Sequence, residues 1–196
     1  PARGDEARAW GPRFFEGGSV MFFAANRSKR SLALDVKDPD GHAALLRLVD
    51  TADVFVQSLR AGTAERLGLG ADELRRRNER LGTGSIEAFG RSGPLAGEPG
   101  YDPLMQAFSG IMSITGEEGQ APARAGVSIV DFGTGMWAVI GILSALYRRQ
   151  VKHCGATVNS SLLETAIAWM SVGIANYSAD GEEGSRHGSG VAFIVP

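Results

Sequence analysis

Residues 53–90 read DVFVQSLRAGTAERLGLGADELRRRNERLGTGSIEAFG. The apolar run DVFVQSL predicts a strand, and AGTAERLG predicts a short helical turn. ADELRRRNERL spaces its leucines and charges as an exposed amphipathic helix does, and SIEAFG (85–90) closes the pattern as another strand. Upstream, SLALDV (31–36) has the composition of a short buried strand. It is followed by KDPDG and the periodic HAALLRLVDTA, a turn and a helix with Asp38 as N-cap and Pro39 at the first helical position. Strand and helix alternate, which predicts an α/β chain built on a parallel sheet.

Further along, RSGPLAGEPG (91–100) is turn chemistry, and YDPLMQAFSGIMSITG has helical spacing after Pro103. MWAVIGILSALYRRQ (136–150) is the most apolar helix in the chain and is expected to be buried, its basic end suiting a helix C-terminus. ATVNSS predicts a strand and SLLETAIAWMSVGIANYSA a helix, whereas ADGEEGSRHGSG is too polar and glycine-rich to pack.

With 43% hydrophobic and 21% charged residues the chain is an ordinary globular one, and its 27 glycines predict many tight turns or close backbone approaches. A net charge of −2 gives no global reason to expect nucleic acid or an anionic membrane, so an anionic ligand must be held locally. No uninterrupted apolar run approaches the roughly 20 residues of a membrane span. The single cysteine, Cys154, fits a reducing cytoplasm, and no histidine or carboxylate grouping suggests a metal. The chain starts at Pro1 and stops inside the apolar AFIVP, so both ends are expected to continue in a longer polypeptide.

Asp131 is the conspicuous carboxylate. In AGVSIVDFGTGMW (125–137) it stands in an apolar, glycine-rich run at the start of a helix. A helix cap is the ordinary reading of such an aspartate, and a nucleophilic carboxylate the sharper one, because small neighbours let a bulky ligand approach. GYD (100–102) sets a phenol beside a carboxylate after a glycine, either as a site element or as a turn in which Asp102 caps the helix that Pro103 begins. Arg27, Lys29, Arg30 and Lys37 form either a phosphate-neutralising cluster or a solvated basic edge, and Arg66 carries the same ambiguity.

Taken in order, NRSKRSLALDVKDPDG, DVFVQSLRAGTAERLGL, SIEAFGRSGPLAGEPGYDPLMQAFSG, AGVSIVDFGTG and GATVNSSLLETA resemble CoA-transferase family III, also called the CaiB/BaiF family, from about Ser19 to Pro196. The resemblance implies a Rossmann-like large domain, incomplete at both ends. It predicts an N-terminal loop at 1–18, the CoA-binding domain at 19–178, and at 179–196 a flexible loop that starts the connection to a small domain. It implies transfer of coenzyme A between an acyl-CoA thioester and a carboxylic acid, most similar to the branch acting on small dicarboxylic acids, with no permanently bound cofactor. The implied partners are acyl-CoA and the acid, with an interlocked homodimer at full length and neither nucleic acid nor membrane.

On that resemblance Asp131 is the nucleophile and Tyr101 a second site residue. Leu34, Asp35, Val36 and Lys37 fall near the adenosine of CoA, Arg66 and Leu67 near its phosphates, and Asn26, Lys29 and Arg30 assist. Alternatives are an α-methylacyl-CoA racemase-type enzyme and a truncated non-catalytic CoA-binding homologue. The related racemases carry histidine where this chain has Tyr101, and a phenol with a pKa near 10 is a poor replacement, which favours transfer. The chain departs from the family at QSLRAG (57–62), which stands where ENFRPG is usual, and at Asn159, where aspartate is common.

Overall fold

The computed structural model describes residues 4–190. The chain divides into two compact units between Thr51 and Ala52.

In the N-terminal unit, where the sequence reads as loop, a 3-10 turn (Glu6–Ala9) precedes a two-residue hairpin, β1 (Phe14–Phe15) with β2 (Gly18–Ser19). The buried Ser19 fastens this segment: its Oγ donates to Ala7 O (2.6 Å) and accepts the Phe22 N–H (3.0 Å), capping α1 (Val20–Ala25). Helix α2 (Pro39–Val49) starts as the sequence predicts, with Asp38 Oδ1 accepting the Asp40 and Gly41 N–H groups and Pro39 in the first turn. The strand expected at 31–36 does not form. Ladder hydrogen bonds make a strand, and among the described residues no neighbour supplies them to SLALDV, which runs as irregular chain.

The second unit holds a three-stranded parallel sheet in the order β3 (Val54–Gln57), β4 (Gly82–Glu87), β5 (Thr157–Ser161). Its crossovers carry α3 (Thr63–Arg66) and α4 (Ala71–Arg77), then α5 (Asp102–Phe108) and α6 (Ile129–Lys152). Strand β4 begins three residues before the predicted SIEAFG and ends at Glu87. Gly82 and Gly84 conceal it from a propensity reading, although Gly84 lies where Val56 and Ile142 press on the strand. The final predicted helix breaks at Met170 into α7 (Leu162–Trp169) and α8 (Ser171–Asp180). The loop after it stays almost wholly exposed, tethered by Arg186, which donates to Ser113 O (2.9 Å), and by the Gly188 N–H, which donates to Gly116 O (2.8 Å). Of the loop and start of a connection expected at 179–196, residues 191–196 lie outside the described residues.

Helix α6 organises this unit. It lies on β4, β5 and α7, and glycines set how closely. A Cβ at Gly141 would stand 2.7 Å from Val158 of β5, and one at Gly133 would overlap the Trp169 ring of α7. Buried Thr134 ties α6 to α7, donating to Val130 O (2.7 Å) and pairing with Thr165 Oγ1 (2.9 Å). At its far end Arg149 bonds Asp53 Oδ1 (2.6 Å) and Arg80 O (3.0 Å).

The expectation that this helix is buried is half wrong. Phe132, Met136, Val139, Leu143, Tyr147 and Val151, spaced by three or four residues, form an exposed apolar stripe along it. By length and composition α6 is also long enough to cross a membrane, although no uninterrupted apolar run reaches that length. Hydropathy could not separate its two sides, because the helix is apolar around most of its circumference.

Candidate active site

Ligands of open α/β sheets gather beyond the carboxyl ends of the strands. At the ends of β3 and β4 two adjoining clefts, of about 310 and 390 Å³, share Leu59, Arg60, Ala61, Glu87 and Gly97. The larger also holds Gly100, Tyr101 and Asp131, so the structure brings the two predicted catalytic side chains into one cleft. The QSLRAG departure supplies Ser58, Leu59 and Arg60 to its wall, and the turn-rich segment 91–100 supplies Gly97, Glu98 and Pro99.

The start of α6 differs from the sequence reading. Ser128 takes the N-cap position and Asp131 is the third helical residue, so Asp131 is not a cap. The first N–H groups of a helix lack partners within it, and a carboxylate from another helix meets them here. Asp102 Oδ2 accepts the Val130 N–H at 2.8 Å and the Asp131 N–H at 3.4 Å. Asp102 therefore does not cap its own helix: Tyr101 holds that position without a side-chain bond. Only 1% of Asp102 is exposed, against 69% of Tyr101 beside it, because the extended backbone at Tyr101 turns successive side chains to opposite sides.

Asp102 is itself held. Gln106 Nε2 donates to its Oδ1 (2.6 Å), and Gln106 Oε1 accepts the Ala125 N–H (2.8 Å). Beneath lies a core of Met105, Val130, Leu162 and Ala166. The Asp131 carboxylate accepts no hydrogen bond among the described residues, and partial desolvation followed by repulsion from Asp102 raises its pKa. The result is a more basic carboxylate at a cleft wall, lacking the N–H donors that usually quiet an anion at a helix start.

Two arginines stand at the clefts. Arg91 is neutralised by Glu65 (3.5 Å) and Glu87 (3.6 Å) and bonds Asn159 Oδ1 (3.2 Å). Arg60 makes no ion pair among the described residues and is exposed. Gln106, Arg60 and Arg91 are site residues that the sequence reading missed, and Asp102 was left there between a site element and a cap. The four-residue spacing of Asp102 and Gln106 was a signal, since it puts both on one helix face.

The predicted CoA residues fall in two places. Arg66 ends α3 next to the smaller cleft without lining it, its guanidinium held by Thr63 Oγ1 (2.8 Å), and Leu67 caps that helix. In the N-terminal unit Asn26 caps α1 and accepts Lys29 Nζ (3.1 Å), and Arg30 is exposed. Leu34 and Val36 are half-buried while Asp35 and Lys37 point outward, with Asp35 Oδ1 accepting the Lys37 N–H (2.9 Å).

The family model of CoA-transferase family III matches residues 1–196. This chain belongs to CoA-transferase family III. The chain is 35% identical over 196 residues to a protein of Mus musculus named succinyl-CoA:glutarate CoA-transferase, covering all of this chain and 45% of the relative. It is 36% identical over 198 residues to acetyl-CoA:oxalate CoA-transferase of Acetobacter aceti, covering all of this chain and 50% of the relative. The crystal structure of a CaiB/BaiF family protein from Brucella suis superposes with a TM-score of 0.91 at 35% identity, over 98% of this chain and 52% of that one. The family III chain thus spans about half the length of the relatives it matches.

Proposed function

We propose that the family III protein to which this chain belongs moves coenzyme A from an acyl-CoA thioester to a small dicarboxylic acid, with Asp131 as nucleophile. The observation that carries this reading is the Asp131 carboxylate itself: without a hydrogen bond among the described residues, raised in pKa and placed with Tyr101 in a cleft at the strand ends. A more basic, partly desolvated carboxylate is the better nucleophile. The exposed Arg60 guanidinium, unpaired among the described residues, offers charge to an anionic substrate, and the relatives that the chain matches are named for succinate, glutarate and oxalate chemistry.

In this scheme an Asp131 oxygen adds to the thioester carbonyl. The C–S bond breaks, leaving an acyl-aspartyl anhydride and CoA thiolate. The thiolate attacks the aspartyl carbonyl, releasing the donor acid and forming an aspartyl-CoA thioester. The acceptor carboxylate displaces the thiolate to form a new anhydride. The thiolate then attacks that acyl carbon, giving the new acyl-CoA and restoring Asp131. No redox partner or metal enters the balance.

The exposed stripe on α6 supports the homodimer expected of the full-length protein, since such an area demands a cover. The lone, exposed Cys154 thiol suits a cytoplasmic setting. To test the reading, the protein in its full natural length is incubated with succinyl-CoA and a panel of dicarboxylic acids, and the products are read by mass spectrometry. New acyl-CoA species are expected, with Asp131→Ala reducing them about a thousandfold or more. Undiminished transfer by Asp131→Ala would overturn the nucleophile assignment.

A further inference from the structure

Behind the proposed nucleophile stands a carboxylate with three hydrogen-bond donors. Asp102 is buried, carries a charge that needs compensation, and takes it from two N–H groups of α6 and from Gln106. We propose that Asp102 is a positioning residue for Asp131: by occupying the N–H groups at the start of α6, it fixes where the Asp131 carboxylate stands and withholds the helix-end donors that would quiet it. This inference rests on Asp131 being the nucleophile.

Three observations point the same way. The Ala125 N–H, Gln106, Asp102 and the Val130 N–H form one continuous hydrogen-bonded path, tying both the segment before α6 and its first turn to α5. A structural cap would need no charge, since a serine, threonine or asparagine serves equally well. The charge here is instead set one residue from Asp131, and after burial it is the second cause of that residue's raised pKa. Around the Asp131 carboxylate the cleft presents Tyr101 from the start of α5, Glu87 from β4, Glu98 from the loop before α5 and Arg60 from the loop after β3. Helix α7, packed beside α6, carries Glu164, which accepts from Ser161 Oγ (2.7 Å).

The experiment uses the protein in its full natural length with two variants. Asp102→Asn removes the charge but sets an amide against the Gln106 amide. The pair Asp102→Asn/Gln106→Glu restores a donor for every acceptor along the path while moving the charge away from α6. For Asp102→Asn the plateau of kcat/KM is expected to fall about tenfold to a hundredfold, with its acidic limb displaced to lower pH. For the pair, the plateau recovers most of that loss while the acidic limb stays displaced. A purely structural cap would restore the rate without moving the limb. An unmoved limb in the folded pair overturns the proposal.

Amide hydrogen exchange on the unmodified protein supplies a measurement that needs neither variant. The Val130 and Asp131 N–H groups have no partner within the helix, so protection from exchange is expected only through Asp102. Exchange at the rate of an open chain overturns the proposal even where both variants fail to fold. Asp131→Ala, run beside them, separates the two readings: full activity there defeats the nucleophile assignment, whereas loss there with an unmoved limb in the pair defeats only the role of Asp102.

Discussion

Asp131 is held at an energetic disadvantage, and that has a measurable sign. Its pKa is raised by burial and by Asp102, so ionising it costs more in the folded chain than in the unfolded one. The penalty is absent at pH values below the ordinary carboxyl range, where the group is protonated in both states, and is complete above the folded pKa. Asp131→Asn is therefore expected to raise the melting temperature at neutral pH, and that gain should shrink as the pH falls through the carboxyl range. A gain that persists unchanged in acid would mean that something other than charge is relieved. The sequence pointed to this carboxylate, and the resemblance implied a role for it. For both aspartates the reading as a cap of the adjoining helix fails, because the partner of a helix N-terminus can come from any part of the chain, and Asp102 reaches α6 across 28 positions.

At the scale of elements, α6 is placed by close contacts that a propensity reading counts as flaws. Gly141 sits mid-helix, where alanine would normally be better by about 1 kcal/mol. Its absent Cβ faces Val158, a stiff β-branched side chain on β5, and overpacking of this kind costs about 1–3 kcal/mol. Gly141→Ala is therefore expected to lower the urea midpoint by a net amount of up to about 2 kcal/mol in unfolding free energy. A stabilised variant would show that the helix can shift on the sheet. The alternation around β3, α3, α4 and β5 was legible because those segments carry their period locally. The start of β4 was hidden by Gly82 and Gly84, whose role depends on what lies over the strand. SLALDV had the composition of a strand but lacks, among the described residues, a neighbour to pair with.

At the scale of the molecule, the parallel sheet and its flanking helices agree with the sequence reading, and the family membership with the resemblance. What the sequence could not reveal is that α6 has one side without a cover. If the proposed homodimer forms through that stripe, Leu143→Glu with Tyr147→Glu in its middle is expected to give a monomer in light scattering of the full-length protein. An unchanged mass would show that subunits associate through another surface.

The neighbouring side chains of Tyr101 and Asp102 carry a constraint on how this chain can drift in length. One phenol faces the cleft and the next carboxylate faces the core because a single extended residue separates their directions. A deletion or insertion inside GYDP would exchange the two, sending an acid outward and a phenol against the start of α6. The exposed turn at 92–94, between Arg91 and the cleft wall, can lengthen or shorten with the change absorbed in solvent. The boundary between tolerated and forbidden length variation therefore falls within a few residues of Gly100, and a library of single-codon insertions scanned across 91–104 would locate it.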